Sequence, residues 1–341
     1  NIVDINTFEV LHKYKHNVDE MNNLIKNSNE DFFDNDKFNS QERFLYIHPL
    51  ILNDGSLVSS GVDGALFKLD FCSNLIWINQ DERFHHSKNL STDGNIWAIT
   101  SLYPYSKIIN KRLGKYGIGF RDDAITEINN EGKIIFSKSI AEILIENQII
   151  GDNLFQTLDP IHANDVQPAL SSSEYWQIND LFISIRAKSA IVHYRPSTNK
   201  VINYITGPFF QQHDVDIISD YEISIFNNNN NPDDNSKYSN QLVYNFKSKK
   251  FSTKFNSELK KNNFKTITEG GSEILKDGSL ILDESNHGRI IILNKEGKKE
   301  IEFINKDGNG NIFNISWIRV IEDKELINKI REKKFKNKCL N

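Results

Sequence analysis

Four histidines of this 341-residue chain stand at comparable points of a repeating pattern. His86 lies seven residues before Asp93 and His213 seven before Asp220. His48 lies six before Asp54, and His162 precedes a longer loop that leads to Asn179-Asp180. An imidazole serves as nucleophile, base or acid near neutral pH. Histidines at one phase of a repeat are brought together in space, so the pattern predicts a cluster. Arg186 lies in ISIRAKSAIVHY, between the third and fourth of these histidines. Metal binding is one chemistry open to such a set, because neutral imidazoles are common ligands. Against it, Asp165 and Asp214 are the only carboxylates at the same phase, and Arg186 would repel a cation. Anion chemistry is the other. A forked guanidinium with several imidazoles makes a site for a tetrahedral oxyanion, and a histidine there can attack the central atom to form a covalent intermediate.

The elements that must position these residues read as short strands in a repeat. Asp54-Gly55, Asp93-Gly94 and Asp277-Gly278, with the related Asn179-Asp180 and Ser219-Asp220, each stand between two β-rich runs. Such pairs are strong hairpin signals. A second hairpin follows most of them: KLDFCSNLIW, TEINNEGKIIF, HYRPSTNKVINY and ILNKEGKKEIEF. Four strands over about 40 residues are the signature of a propeller blade. Five units begin near Tyr46, Phe84, Ile161, Gln211 and Gly270. A sixth is incomplete, with SWIRVIED as its strand and the N-terminal IVDINTFEVLHKY as the source of its outer strands. Such sharing removes a free sheet edge. The expectation is an all-β, six-bladed β-propeller over residues 1–323, closed by N- and C-terminal strands in one blade.

Several segments interrupt the repeat. Residues 17–41 read as a helix and loop, Leu102 to Arg121 as an excursion, and Ser139 to Asn147 as a helical piece. Asn227 to Asn231 reads as a tolerated insertion, and Asp307 to Asn311 as a plain turn rather than a calcium loop. Residues 324–341 form a basic tail, helical to Lys338, with Leu326, Ile327 and Ile330 on the side that packs against the rim.

Composition narrows the function. A net charge of −5 without a Lys/Arg stripe argues against nucleic acid. Two cysteines, Cys72 and Cys339, allow at most one disulfide, and neither has metal-ligand spacing. No apolar run reaches the roughly 18 residues of a membrane span. The chain starts at Asn1, so a removed signal or anchor is the one route left to membrane association.

Four motifs in order carry a resemblance. His85-His86 with LSTDGNIWAI resembles the HH…GN segment of the arylsulfate sulfotransferase family. Asp159 to Val166 (DPIHANDV) resembles its D-x-x-H-x-N-x-V segment, ISIRAKSAIVHY its S-x-R strand, and Gln212-His213-Asp214 its Q-H motif. Gly271-Ser272 and DGSLIL resemble a later blade, so the likeness covers about Leu45 to Glu302. It implies a bacterial, periplasmic or secreted six-bladed propeller that moves a sulfuryl group from a phenolic ester to another phenol, without cofactor, metal or adenylyl-sulfate donor. By that likeness His213 is the nucleophile, and His162, Arg186 and His86 hold the sulfate oxygens and meet charge on the leaving phenolate. Asn164 steadies the neighbouring loop and, with His48, is counted with the substrate-binding residues. Two stretches depart from the pattern: Ile205-Thr206-Gly207 replaces L-G-G, and Ile225-Phe226-Asn227-Asn228 replaces F-D-N-G. A sulfate-ester hydrolase, or a non-catalytic propeller binding an anionic small molecule or glycan, are the alternatives, since a fold alone decides no function.

Overall fold

The computed structural model describes residues 1–25, 41, 44–113, 119–231, 233, 238–332 and 339. Parts of the expected 17–41 insertion, the Leu102 to Arg121 excursion, the segment after Asn231 and the tail beyond Glu332 therefore lie outside the described residues. Within them the chain is an all-β protein of several antiparallel sheets.

β1 (Ile2–Val3) and β2 (Val10–His12) pair with each other. The helix α1 (Val18–Leu24) is capped by the Asn17 side chain and buries Val18 and Met21 against the next sheet. That sheet has seven strands: β3 (Ile47–Ile51), β4 (Leu57–Ser60), β5 (Gly64–Leu69), β6 (Leu75–Leu90), β7 (Ile96–Ser101), β8 (Asp123–Ile128) and β9 (Ile134–Ser139). Its continuity comes from β6 alone. Leu75 to Asn79 pairs with β5, whereas His85 to Leu90 pairs with β7, so two four-stranded units share one long strand. α2 (Lys107–Leu113) interrupts the second unit. α3 (Ile140–Glu146) follows it, with Ser139 and Asn147 at its ends as expected. Ile140, Ile143 and Leu144 recur at helical spacing and are fully buried against the following sheet.

Three four-stranded sheets follow. They are β10 (Ala163–Pro168), β11 (Leu181–Ile185), β12 (Ala190–Arg195) and β13 (Lys200–Thr206); β14 (Val215–Ser219), β15 (Glu222–Asn227), β16 (Asn240–Asn245) and β17 (Lys250–Lys254); and, after α4 (Asn256–Lys261), β18 (Gly271–Ile274), β19 (Leu280–Glu284), β20 (Arg289–Leu293) and β21 (Lys299–Ile304). The five turn pairs read from the sequence all fall between the first two strands of a unit. α5 (Lys324–Arg331) buries Leu326 and Ile330 with Phe71, Leu11 and Tyr14, and a Cys72–Cys339 disulfide ties the tail to the same corner.

β10, β14 and β18 are edges of their sheets, whose outward N–H groups need partners. Side chains of the neighbouring unit supply them. Asp123 accepts from Ala163 N at 2.7 Å, Ser87 Oγ from Val166 N at 2.9 Å, Asp165 from Val215 N at 3.0 Å and Asp214 from Ser272 N at 3.2 Å. The same device explains one departure from expectation. Residues 313–323 form no strand, and β1 and β2 do not pair with them. Alternate N–H groups of that segment are taken by carboxylates instead: Ile318 N donates to Asp283 and Val320 N to Glu273. Ser316 Oγ reaches the Tyr46 carbonyl and Arg319 reaches Asn89 and the Lys88 carbonyl, so the segment lies between the last sheet and the first without a ladder.

Candidate active site

His48, His86 and His162 share a backbone feature that sets their direction. Each has a positive φ, 43°, 50° and 47°: His48 near the start of β3, His86 within β6 and His162 just before β10. Asn, Asp and His are the side chains that tolerate this region best. In β3 and β6 the residue also sits in a bulge, between Ile47 and Leu50 and between His85 and Lys88. A bulge turns a side chain away from the alternation of the strand. Here it leaves the His48 ring against Trp317 and the His86 ring beside those of His162 and His213. The equivalent position in the fourth unit is Gln211, φ 56°, so His213 stands two residues further along than the common phase implied. After the fifth unit the position is held by Trp317, φ 44°.

The rings do meet. His86 lies 5.6 Å from His162 and 6.2 Å from His213 between ring centroids, and 5.8 Å from Trp317. His48 is buried and packs on Trp317 at 4.0 Å. Arg186 is joined to the group through two bonds. Its N–H donates to the His162 carbonyl at 2.9 Å, and its guanidinium donates to Gln211 Oε1 at 3.2 Å. Arg186 is not in mid-strand, as ISIRAKSAIVHY was read. It begins the turn between β11 and β12, which closes because Ser189 takes φ 46° and donates to the Arg186 carbonyl. A turn places the long side chain at the end of the sheet, beside the histidines.

The hydrogen bonds fix the state of His213. Backbone Glu269 N–H is an obligate donor and meets Nε2 at 2.9 Å, so Nε2 carries the lone pair. Nδ1 therefore carries the proton and donates to Asn228 Oδ1 at 2.6 Å. The Asn228 amide cannot turn over, because its Nδ2 donates to the carbonyls of Thr266 and Glu269. Burial pushes the His213 pKa down to about 3; the Asn228 bond opposes the shift, and the charge of Arg186 adds to it. Burial, rather than Arg186, thus keeps this ring neutral. Asn164 Nδ2 donates to the Gln212 carbonyl at 2.9 Å, and Gln212 Nε2 is tied to Ser184, Ile185 and Ala190, which holds the loop before His213. His162 Nδ1 meets the Asp159 carboxylate at 2.5 Å. His86 Nδ1 meets His85 Nδ1 at 2.7 Å.

A cavity of about 280 Å³ adjoins this cluster. His48 and Trp317 line it, together with Asp165, Asp214, Asp216, Glu273 and Arg319; His86, His162, His213 and Arg186 do not. Burial raises all four of these carboxyls. Among the described residues no group of three or more His, Cys, Asp or Glu is arranged to hold a metal. Trp317, Asn228 and Glu269 have no role in the sequence reading, and His85 has none beyond its place in the HH…GN segment. Asn228 lay in the stretch noted only as a departure, Trp317 in an expected strand, and Glu269 acts through its backbone, which no residue type announces.

No curated protein matches the sequence. Solved structures with a similar course include a protein of unknown function from Bacteroides caccae, with 10% identity and TM-score 0.49 over 76% of this chain and 82% of that one. Virginiamycin B lyase from Staphylococcus aureus has 11% identity and TM-score 0.44 over 76% and 69%. An auxiliary nutrient binding protein from Bacteroides ovatus has 10% and 0.47 over 80% and 62%. At these values the likenesses carry no functional argument. The match that decides spans residues 15–306, most of the chain and every residue of the histidine and arginine cluster: the protein belongs to the arylsulfotransferase (ASST) family.

Proposed function

We propose that the protein transfers a sulfuryl group from an aryl sulfate ester to a phenolic acceptor, with His213 as the transient carrier. The observation that carries this reading is the neutral, orientated imidazole of His213 beside His86, His162 and Arg186. The Nε2 lone pair attacks sulfur, and the S–O(aryl) bond breaks with its electron pair on the phenolate oxygen. An acceptor phenol oxygen then attacks the same sulfur, and the S–N pair returns to Nε2. Attack requires the Glu269 N–H to let go of Nε2, and that freed donor can then serve a sulfuryl oxygen. Arg186 supplies the forked cation for the remaining oxygens. Asp159 holds the His162 ring in place through Nδ1. His48 packs on Trp317 and Asn164 holds the loop before His213, so both act on the site through these neighbours.

We further read the sheets as propeller blades, with residues 316–320 in the sixth place and β1–β2 outside the ring. The unit-to-unit bonds from Asp123, Asp165, Asp214 and Asp283 support it. The Cys72–Cys339 bond favours an oxidising compartment, periplasmic or extracellular.

The test is turnover of a chromogenic aryl sulfate with and without added phenol. Release that rises with phenol and yields its sulfate ester is expected. Equal release without phenol would make the protein a hydrolase, and saturable binding without release would make it a binding protein.

A further inference from the structure

His86 ends a buried chain of contacts that the proposed transfer does not use. Its Nδ1 lies 2.7 Å from His85 Nδ1, so one proton must sit between the two rings. His85 Nε2 lies 3.3 Å from Asp123 Oδ1, off the line of a full hydrogen bond, and finds no other acceptor. A bare lone pair there would face a carboxylate, so this nitrogen carries the proton. Burial alone would raise the Asp123 carboxyl, but His85 and Arg121 outweigh it and hold it well below the ordinary range. Arg121 Nε bonds Asp123 at 2.9 Å, and Arg121 is pinned in turn by Asp63 at 2.8 Å. A neutral His85 with Nε2–H has its lone pair on Nδ1. The proton between the rings then belongs to His86 Nδ1, and His86 Nε2 is bare. The backbone at this point is also fixed, because Lys88 Nζ donates to the His86 carbonyl at 2.9 Å. The charged or titratable groups facing His86 are His85, His162, His213 and Arg121, all cationic or neutral, and Trp317 packs on its ring.

We propose that His85 and Asp123 are positioning residues that lock His86 in the Nδ1–H form, so that its Nε2 is the proton-exchanging atom of the site. This rests on the sulfuryl-transfer reading. When the acceptor phenol attacks the sulfur on His213, its proton passes to His86 Nε2. The imidazolium so formed gives that proton to the phenolate that leaves in the next cycle; the first leaving phenolate, met by a neutral His86, takes its proton from water. Each proton taken from an acceptor is thus returned to a later leaving group, and His86 is neutral again once His213 is sulfated.

Two measurements on the full chain test it. In ¹⁵N-histidine NMR near pH 7, with signals assigned by their loss in His86→Gln, His86 should show a protonated Nδ1 and a bare Nε2. His85→Phe and Asp123→Asn should release it to the Nε2–H form. A wild-type His86 already protonated at Nε2 would overturn the proposal. The second measurement is the rate with a series of aryl sulfates. Loss of the lock should slow esters of poorly acidic phenols by about 100-fold, the usual scale of acid catalysis. Nitrophenyl esters, whose leaving group needs little help, should lose less than about tenfold. A loss uniform across the series would mean a merely structural role and sink the idea. If no aryl sulfate is turned over, the transfer reading fails, while the NMR result still decides the lock.

Discussion

A nucleophilic imidazole is useful only while it is unprotonated, and at His213 burial does most of that work. The ring then needs no neighbouring base. With nitrophenyl sulfate, the burst of phenol release should stay flat from pH 8 to 5, whereas an exposed histidine of pKa about 6.5 would lose about tenfold per unit below that value. A stopped-flow profile that falls through pH 6.5 would assign the nucleophile elsewhere. Arg186 acts on the other partner. Arg186→Ala should cost about 100- to 1,000-fold in kcat/KM, the range seen for one preorganised donor, and should weaken the donor ester's binding. An unchanged kcat/KM would remove it from the site. His86 and His162 were legible because residue type and repeat phase both pointed to chemistry, and His213 and Arg186 by residue type and motif, since His213 lies two residues off the common phase. Asn228 and Glu269 were not, since one contributes an ordinary amide and the other only an N–H.

At the scale of elements, the site depends on the bulged starts of inner strands. Lys88 is the clearest fastener. It is fully buried in β6 and donates to the Ile47 carbonyl, Ser60 Oγ and the His86 carbonyl at 3.2, 2.6 and 2.9 Å. It thus ties the strands bearing His48 and His86 together. Lys88→Met leaves Ser60 Oγ and the His86 carbonyl without this donor, while the Ile47 carbonyl keeps its bond from Ser59 Oγ at 3.0 Å. It should cost about 2 kcal/mol or more in urea unfolding, at about 1 kcal/mol or more for each lost donor. A loss within about 0.5 kcal/mol would show that water replaces the ammonium. The hairpins were readable because Asp-Gly turns and period-two patterning act within a few residues. The segment 316–320 was misread because strand composition says nothing about partners. Its N–H groups are spent on Asp283 and Glu273, which lie far away in sequence.

For the whole molecule, two sets of buried groups pull stability in opposite directions with pH. Burial raises the carboxyls of Asp165, Asp214 and Asp216, Glu273 to about 7 and Asp283 to about 8. Their folded forms hold protons that the unfolded chain has released above about pH 4, so this stability is lost as pH rises through 7 to 8. Burial lowers His48, His85, His86, His193 and His213, and the unfolded chain gains protons there below about pH 6.5, so that stability is lost on acidification. The two effects offset one another between about pH 4 and 6.5. Above that only the carboxyls act, and the Tm should fall from pH 6.5 to 8.5, less steeply in Asp283→Asn. A Tm that rises across this range in calorimetry would contradict it. The carboxyl set was not legible as a buried group, because Asp216 and Glu273 look like ordinary strand carboxylates until the sheets bring them to one cavity.

The central claim is that sulfur passes through His213, and intact-mass spectrometry of the protein mixed with an aryl sulfate and no acceptor tests it most directly. The account predicts a gain of one SO₃ group, mapped to the peptide holding His213, discharged by added phenol and absent in His213→Ala. Full turnover by His213→Ala, or an adduct on the peptide of His86 or His162, would contradict it.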